Sequence, residues 1–298
     1  MFETAAVYAL ISAVLLALRD IFGRFAIRGI DSISGTAFTA IVGLPVLWIV
    51  SAARGDFSDP WPGLGWPLLF IAIAGIFRVC FARTMLFAAT QHIGSARTST
   101  IVATNLIFAS SFGVAFLGES LTFSIVLGAL LVFAGYLFIA GSHTKNDKGD
   151  PSQKPYVGMA LALGCALAFG VAAVLVRPSV GFFTSPNEAN FYSNIFAVGA
   201  FAPFLFRRGK IGEIKNWTPG NWGFLALAGM SASLGVTFLY LALANAPVVY
   251  AFPISQSRPL FAIAISWTFL QSEEKMNWRV VAGALAIFAG TVTLIFNR

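Results

Sequence analysis

Apolar residues run along this chain in long continuous stretches separated by short polar punctuation, and their order predicts ten helices. The stretches do not alternate with a period of two, so strands are not expected. They cover about 4–27, 34–52, 66–90, 96–117 and 123–141, then 156–176, 189–206, 222–245, 248–270 and 280–296. Most are close to the 20 or so residues that a helix needs to cross the hydrocarbon core of a bilayer. The one long hydrophilic stretch, SHTKNDKGDPSQKP at 142–155, has the composition of a flexible connector and divides the chain into residues 1–141 and 156–298.

The two halves echo each other. With Asn105 placed on Arg258, Phe108 falls on Phe261, Ala109 on Ala262 and Phe116-Leu117 on Phe269-Leu270, all at an offset of 153. After a two-residue slip, Gly128 and Gly135 fall on Gly283 and Gly290; further upstream, Gly75 falls near Gly229 and Ala88 near Ala242. The chain therefore reads as a tandem duplication of a five-helix unit. An odd number of spans makes the second unit enter the membrane from the opposite side, so the repeats are expected to be inverted, an arrangement that recurs in transporters with a mid-membrane site at the repeat interface. The expected fold is an all-α integral membrane protein of ten transmembrane helices, built as two inverted five-helix repeats around a central cavity. The glycine pairs, each two helical turns apart, read as close-packing faces.

Composition supports lipid as the solvent. Hydrophobic residues make up 58% and charged residues only 10%, with mean hydropathy +0.81, against roughly 25% charged in a soluble domain. The net charge of +7 fits basic cytoplasmic loops better than nucleic-acid binding, which is not expected. Cys80 and Cys165 fall inside spans and read as packing residues. No basic region precedes the first stretch and Glu3 sits there, so it is not read as a cleaved signal. His92 and His143 form no metal-ligand or catalytic set, and no phosphate-binding loop is present. An enzyme, a metal site and any cofactor are therefore not expected, and no filter loop or charged ring suggests a channel.

The charges inside spans carry the candidate chemistry, because one at the bilayer centre costs about 3 kcal/mol or more and normally faces a partner or a wet cavity. Arg24, Arg97 and Arg177 lie near span ends and are expected to snorkel. Arg78, mid-span in the third stretch, and Arg258, mid-span in the ninth, are expected to line the cavity, with buried structural pairing as the competing reading. Arg83 is a further candidate, although on an α-helix it would point about 140° from Arg78 and need not share the site. Asp20, flanked by Arg19 and Arg24, is read either as an ion pair with Arg24 at i,i+4 or as the carboxylate of a proton-coupled cycle. In the ninth stretch, Ser255-Gln256-Ser257-Arg258 lies between Pro253 and Pro259, which predicts a broken helix. Gln256 and Ser257 join the candidate substrate-binding set. So do Asn105, which occupies the equivalent place in the first half, and Tyr240; Gln91 and Asn245 are lesser polar candidates. Guanidinium groups pair with carboxylate and phosphate, so the expected substrate is a small anionic or zwitterionic metabolite such as an amino acid. Efflux of lipophilic compounds is the alternative.

The end of the fourth stretch and the whole of the fifth, FLGESLTFSIVLGALLVFAGYLFI, carry a resemblance to a known family. Leu117, Gly118, Glu119, Leu121 and Thr122 match the Leu-Gly-Glu-x-Leu-Thr turn of the drug/metabolite transporter superfamily, and the chain resembles its EamA-like branch over its whole length. In the second half, LQSEEKMNWRVVAGALAIFAG keeps an acidic residue and the glycine helix but loses the Gly-Glu pair. Pro259 matches a proline usual in that family, and its first-half counterpart, Leu106, does not. The resemblance implies a multi-pass secondary transporter of the cell (inner) membrane, an exporter or exchanger, with the bilayer, a small molecule and candidate coupling protons as partners. One duplicated chain supplies both halves, so a monomer suffices and a dimer is compatible. The resemblance also implies cytoplasmic termini. The loops read the other way: ten Lys and Arg lie on the face opposite the termini against three on the terminal face, which predicts termini outside.

Overall fold

Continuous apolar runs must satisfy every backbone N–H and C=O internally when lipid surrounds them, and helices do so. The computed structural model describes residues 2–26, 30, 32–56, 65–93, 95–142, 155–205, 217–269 and 278–296, and every regular element among them is helical. In the first half, α1 (Phe2–Ala26), α2 (Ser32–Arg54) and α3 (Trp66–Gly75) are followed by a π-helical segment, Ile76–Arg83. Then come α4 (Thr84–Ile93), α5 (Ser95–Val102), α6 (Asn105–Leu117) and α7 (Phe123–Ser142). The second half is α8 (Pro155–Ser179), a short 3-10 turn at Val180–Phe182, α9 (Pro186–Leu205), α10 (Pro219–Asn245), α11 (Val248–Ser255), α12 (Arg258–Phe269) and α13 (Trp278–Phe296). The connector at 143–154 and the basic loop at 206–216 lie outside the described residues.

Eight of the described stretches are long and apolar enough to cross a membrane, and Phe123–Ile139 of α7 adds a shorter apolar helix. The remaining predicted span, α9, is different. Its first half carries Asn187, Glu188, Asn190, Ser193 and Asn194, all buried inside the bundle. This polar content is paired within the protein rather than turned to lipid, which is what the cost of unsatisfied groups in hydrocarbon demands.

The duplication is visible in how the helices meet. Helix α1 packs along α10, and its counterpart α8 packs along α3, the π segment and α4. Helix α2 meets α9, and α7 meets α13, each the equivalent of the other in the opposite half. These equivalent helices run antiparallel. A Cβ added at Gly128 would lie 2.9 Å from the Gly290 carbonyl, and one at Gly135 would lie 2.6 Å from the Gly283 carbonyl, so rising numbers on α7 meet falling numbers on α13. Likewise Ser185, just ahead of α9, bonds Asp56, just beyond α2.

Two spans are broken at equivalent positions. The break in the fourth lies between Val102 and Asn105, and that in the ninth between Ser255 and Arg258. Each break is a tightened turn. The Thr104 amide donates to the Ile101 carbonyl at 3.0 Å and the Ser257 amide to the Ile254 carbonyl at 3.0 Å. The side-chain hydroxyls double these bonds, Thr104 Oγ1 to Ile101 O at 2.7 Å and Ser257 Oγ to Ile254 O at 2.8 Å. Hydroxyl bonds to local carbonyls compete with the helical ladder. The first-half break holds with no proline, so Pro253 and Pro259 are not its general cause. Pro259 is the second residue of α12, where a missing N–H costs little.

Candidate functional site

The second half-helix of each broken span begins inside that span, and at the ninth this brings Arg258 into the lining of a cavity. Arg19 of α1, Arg78 and Arg83 of the π segment, Tyr240 of α10, Ser255 of α11 and Gln256 in the break that follows it share the lining. Apolar walls come from Leu16, from Phe169 and Val176 of α8, and from Val236, Leu239 and Phe252. The space is about 50 Å³, room for a few water molecules.

Arg83 corrects the expectation drawn from α-helical geometry. Five residues on an α-helix separate two side chains by about 140°. In the π segment the repeat is about 4.4 residues per turn, so five residues come round to within about 50°. Arg78 and Arg83 therefore share one face and one cavity.

Arg78 is held by α9 and α10. One terminal nitrogen donates to Asn190 Oδ1 and to Ser193 Oγ, each at 3.3 Å. Its guanidinium carbon lies 5.8 Å from the Tyr240 ring centroid, within cation–π range, and the Tyr240 hydroxyl bonds Ser193 Oγ at 3.1 Å. Asn190 in turn donates to the Ser233 carbonyl and to Thr237 Oγ1, both at 3.0 Å. Thr237 donates to Asn187 Oδ1 at 3.1 Å, and Asn187 donates to the Leu47 carbonyl at 3.2 Å and to Ser51. The network thus ties α2, the π segment, α9 and α10 together. Sequence reading missed its α9 members. The available signal was the spacing Asn187, Asn190, Asn194, which at i, i+3 and i+7 is a polar stripe on one helix face.

The remaining cations are held differently. Arg83 donates to Thr39 Oγ1 at 3.2 Å. Arg258 donates to Gln256 and lies beside the Tyr136 hydroxyl. Arg19 forms an ion pair with its neighbour Asp20 at 2.6 Å. The expected Asp20–Arg24 pair involves a side chain, that of Arg24, which lies outside the described residues. Asp20 is not deep in the bundle: its side chain is 45% exposed, whereas Glu188 is 1% and Asp56 7% exposed. Position along a span did not indicate burial, because the Glu188 carboxylate accepts from the Thr184 amide at 2.8 Å and Asp56 is bonded by Ser185. The Ser185 hydroxyl donates to Asp56 at 2.7 Å and accepts from the Glu188 amide at 3.1 Å.

Two other candidates are placed away from the cavity lining. The Ser257 hydroxyl is turned onto Ile254 O, and Asn105 is buried at the start of α6. Asn245 donates to the Leu241 carbonyl of its own helix at 2.8 Å, and the Gln91 side chain lies outside the described residues. Arg97 is exposed at a helix end. Arg177 was expected to snorkel, but instead donates to the Leu243 and Ala244 carbonyls at 2.8 and 3.2 Å. It caps the C-terminus of α10, where unsatisfied carbonyls favour a cation.

The Leu-Gly-Glu-x-Leu-Thr turn now has a physical account. Gly118 adopts φ 65°, closing α6 with its amide on the Val114 carbonyl, a conformation that costs glycine little. Glu119 then reaches across to the other half, where Oε1 accepts from the Val248 amide at 2.8 Å and Oε2 from the Val249 amide at 3.0 Å. These are orphan donors at the N-terminus of α11, where a carboxylate is doubly favoured. Thr122 accepts from the Ile125 amide in the first turn of α7. The corresponding acidic turn of the second half, at 273–274, lies outside the described residues.

Comparison with known proteins agrees with this arrangement. The model of the EamA-like transporter family matches residues 3–141 and again 156–296. An uncharacterized transporter in the cobO 3' region of a Sinorhizobium species is 31% identical over 136 residues, 45% of this chain and 94% of that protein. The uncharacterized transporter C405.03c of Schizosaccharomyces pombe is 26% identical over 71% of this chain, which spans 66% of that relative's length. A crystal structure superposes with a TM-score of 0.80 over 98% of this chain and 96% of that one, at 17% identity, a likeness of fold. With both halves matched, the chain belongs to the EamA-like transporter family.

Proposed function

We propose that this protein is a secondary transporter that moves small anionic or zwitterionic metabolites across the cell (inner) membrane by alternating access, as an exporter or exchanger. The observation that carries the reading is the cavity between the halves, lined by Arg19, Arg78, Arg83 and Arg258. Guanidinium groups in a site of low dielectric attract carboxylate and phosphate and repel cations. At about 50 Å³ the space has room for a few water molecules, and on this reading helices part to admit a substrate.

The antiparallel equivalent helices supply such a motion, because inverted repeats can exchange conformations to open one face and close the other. On the face where α1 begins and α13 ends, polar contacts join the helices: Asp56 to Ser185, Ser51 to Asn187, and Glu119 to the start of α11. We assign these to the closed gate of this conformation. Asp20, paired with Arg19, is the candidate for proton coupling.

The test is counterflow in proteoliposomes loaded with amino acids, organic acids or phosphorylated metabolites. Exchange of an anionic or zwitterionic class, reduced at least tenfold by Arg258→Ala, is the expected result. Transport of a lipophilic cation in preference to these would overturn the reading.

A further inference from the structure

The charge of the cavity is lopsided in a way that narrows the substrate. Four guanidinium groups line it, and one carboxylate, Asp20, is paired with one of them, Arg19. Four positive charges less one negative leave a formal +3. The hydrogen-bond partners of the other three arginines are neutral. Arg78 bonds Asn190 and Ser193, Arg83 bonds Thr39, and Arg258 bonds Gln256. Arg78 is 9% exposed, and its Nε has no partner among the described residues. The buried acids Asp56 and Glu188, and the partly buried Glu119, do not line the cavity. Glu119 is occupied by the α11 amides and Asp56 by Ser185.

A buried cation without a counter-charge is costly and is normally offset by an anion. A zwitterion would bring its own ammonium into this field and contribute no net charge. Its ammonium would also need an acceptor, and among the described residues the one carboxylate whose charge reaches Arg83 and Arg258 is Asp20, which is already paired with Arg19. We infer that the cavity selects small dianions, phosphate monoesters or dicarboxylates, over zwitterionic amino acids and over monoanions. This rests on the anion-binding reading of the same cavity and narrows it.

The experiment is thermal unfolding of the purified full chain in detergent at constant ionic strength. The probes are inorganic phosphate, glycerol phosphate, succinate, acetate, glycine, leucine and tetraphenylphosphonium. Dianions are expected to raise Tm by about 3 °C or more at 10 mM, with acetate and the amino acids giving less than a third of that shift. Arg78→Gln and Arg258→Gln should each weaken the dianion response at least tenfold, while Arg97→Gln, at an exposed helix end, should keep it. Arg78→Lys provides a charge-retaining variant should the neutral ones fail to fold, and the probe panel on the unaltered protein stands independently of any variant.

Equal stabilisation by acetate, no dianion shift, or unchanged responses in folded Arg78→Gln and Arg258→Gln would each overturn the inference. Stabilisation by amino acids without dianions would overturn it while leaving the anionic-or-zwitterionic transporter standing. Stabilisation by tetraphenylphosphonium alone would overturn both.

Discussion

Arg78 and Tyr240 illustrate how a buried charge is held without an acid. The guanidinium sits near the ring face, and the ring's hydroxyl is tied to Ser193, which also accepts from Arg78. Asn190 is the pivot, because it bonds Arg78, Ser233 and Thr237 at once. Truncation there strands several buried polar groups, each costing about 1–3 kcal/mol. Asn190→Ala should therefore destabilise the protein by about 2 kcal/mol or more, and Tyr240→Phe, which keeps the ring and loses one hydrogen bond, by about 1 kcal/mol. Thermal unfolding in detergent checks the ranking, with about 2–4 °C of Tm for each kcal/mol. Equal losses would show that Asn190 is not the pivot. These partners were hidden in the sequence because Asn190 and Ser193 look like the polar end of a poorly apolar span. Only the fold reveals that the polar face points inward.

At the scale of the element, α7 and α13 are held by backbone approach. A Cβ at Gly283 would lie 2.7 Å from the Gly135 carbonyl, and one at Gly290 would lie 2.6 Å from the Gly128 carbonyl. Small residues at such contacts let helices pack closely in lipid, where no hydrophobic force drives them together. Gly135→Ala or Gly290→Ala should push the helices apart and cost about 2 kcal/mol. Gly199→Ala, on α9 with open space around it, should be neutral or slightly stabilising through helix propensity. Chemical denaturation of the three variants separates these outcomes. The glycine spacing was legible in the sequence as a packing face. The π segment was not, since nothing in IFRVCFAR departs from an ordinary apolar helix with two arginines. That one local change of repeat moved Arg83 into the cavity.

In the whole molecule, polar contacts at one face, the proposed lock, join the two halves. The lock includes a carboxylate from the first half capping a helix of the second, and a Ser185–Asp56 bond between α9 and the end of α2. A transporter that alternates its access must release such contacts in each cycle. Crosslinking Asp56→Cys to Ser185→Cys in a background lacking Cys80 and Cys165 should block exchange in proteoliposomes, and reductant should restore it. Unimpaired exchange in the crosslinked protein would mean that this face does not open.

The duplication, the membrane and the break at Ser255–Arg258 were all determined by the sequence alone. They depend on apolar run length, on an offset of 153 and on residue chemistry that acts locally. The membership of the site was decided only by tertiary structure. Arg78 and Arg258 are 180 positions apart in the chain, and lining one cavity depends on how helices from both halves cross. Burial was decided there too. Asp20 looked deep from its place in a span and is exposed, while Glu188 looked peripheral and is enclosed. Depth along a helix is a one-dimensional quantity, whereas enclosure depends on which neighbours the other helices supply.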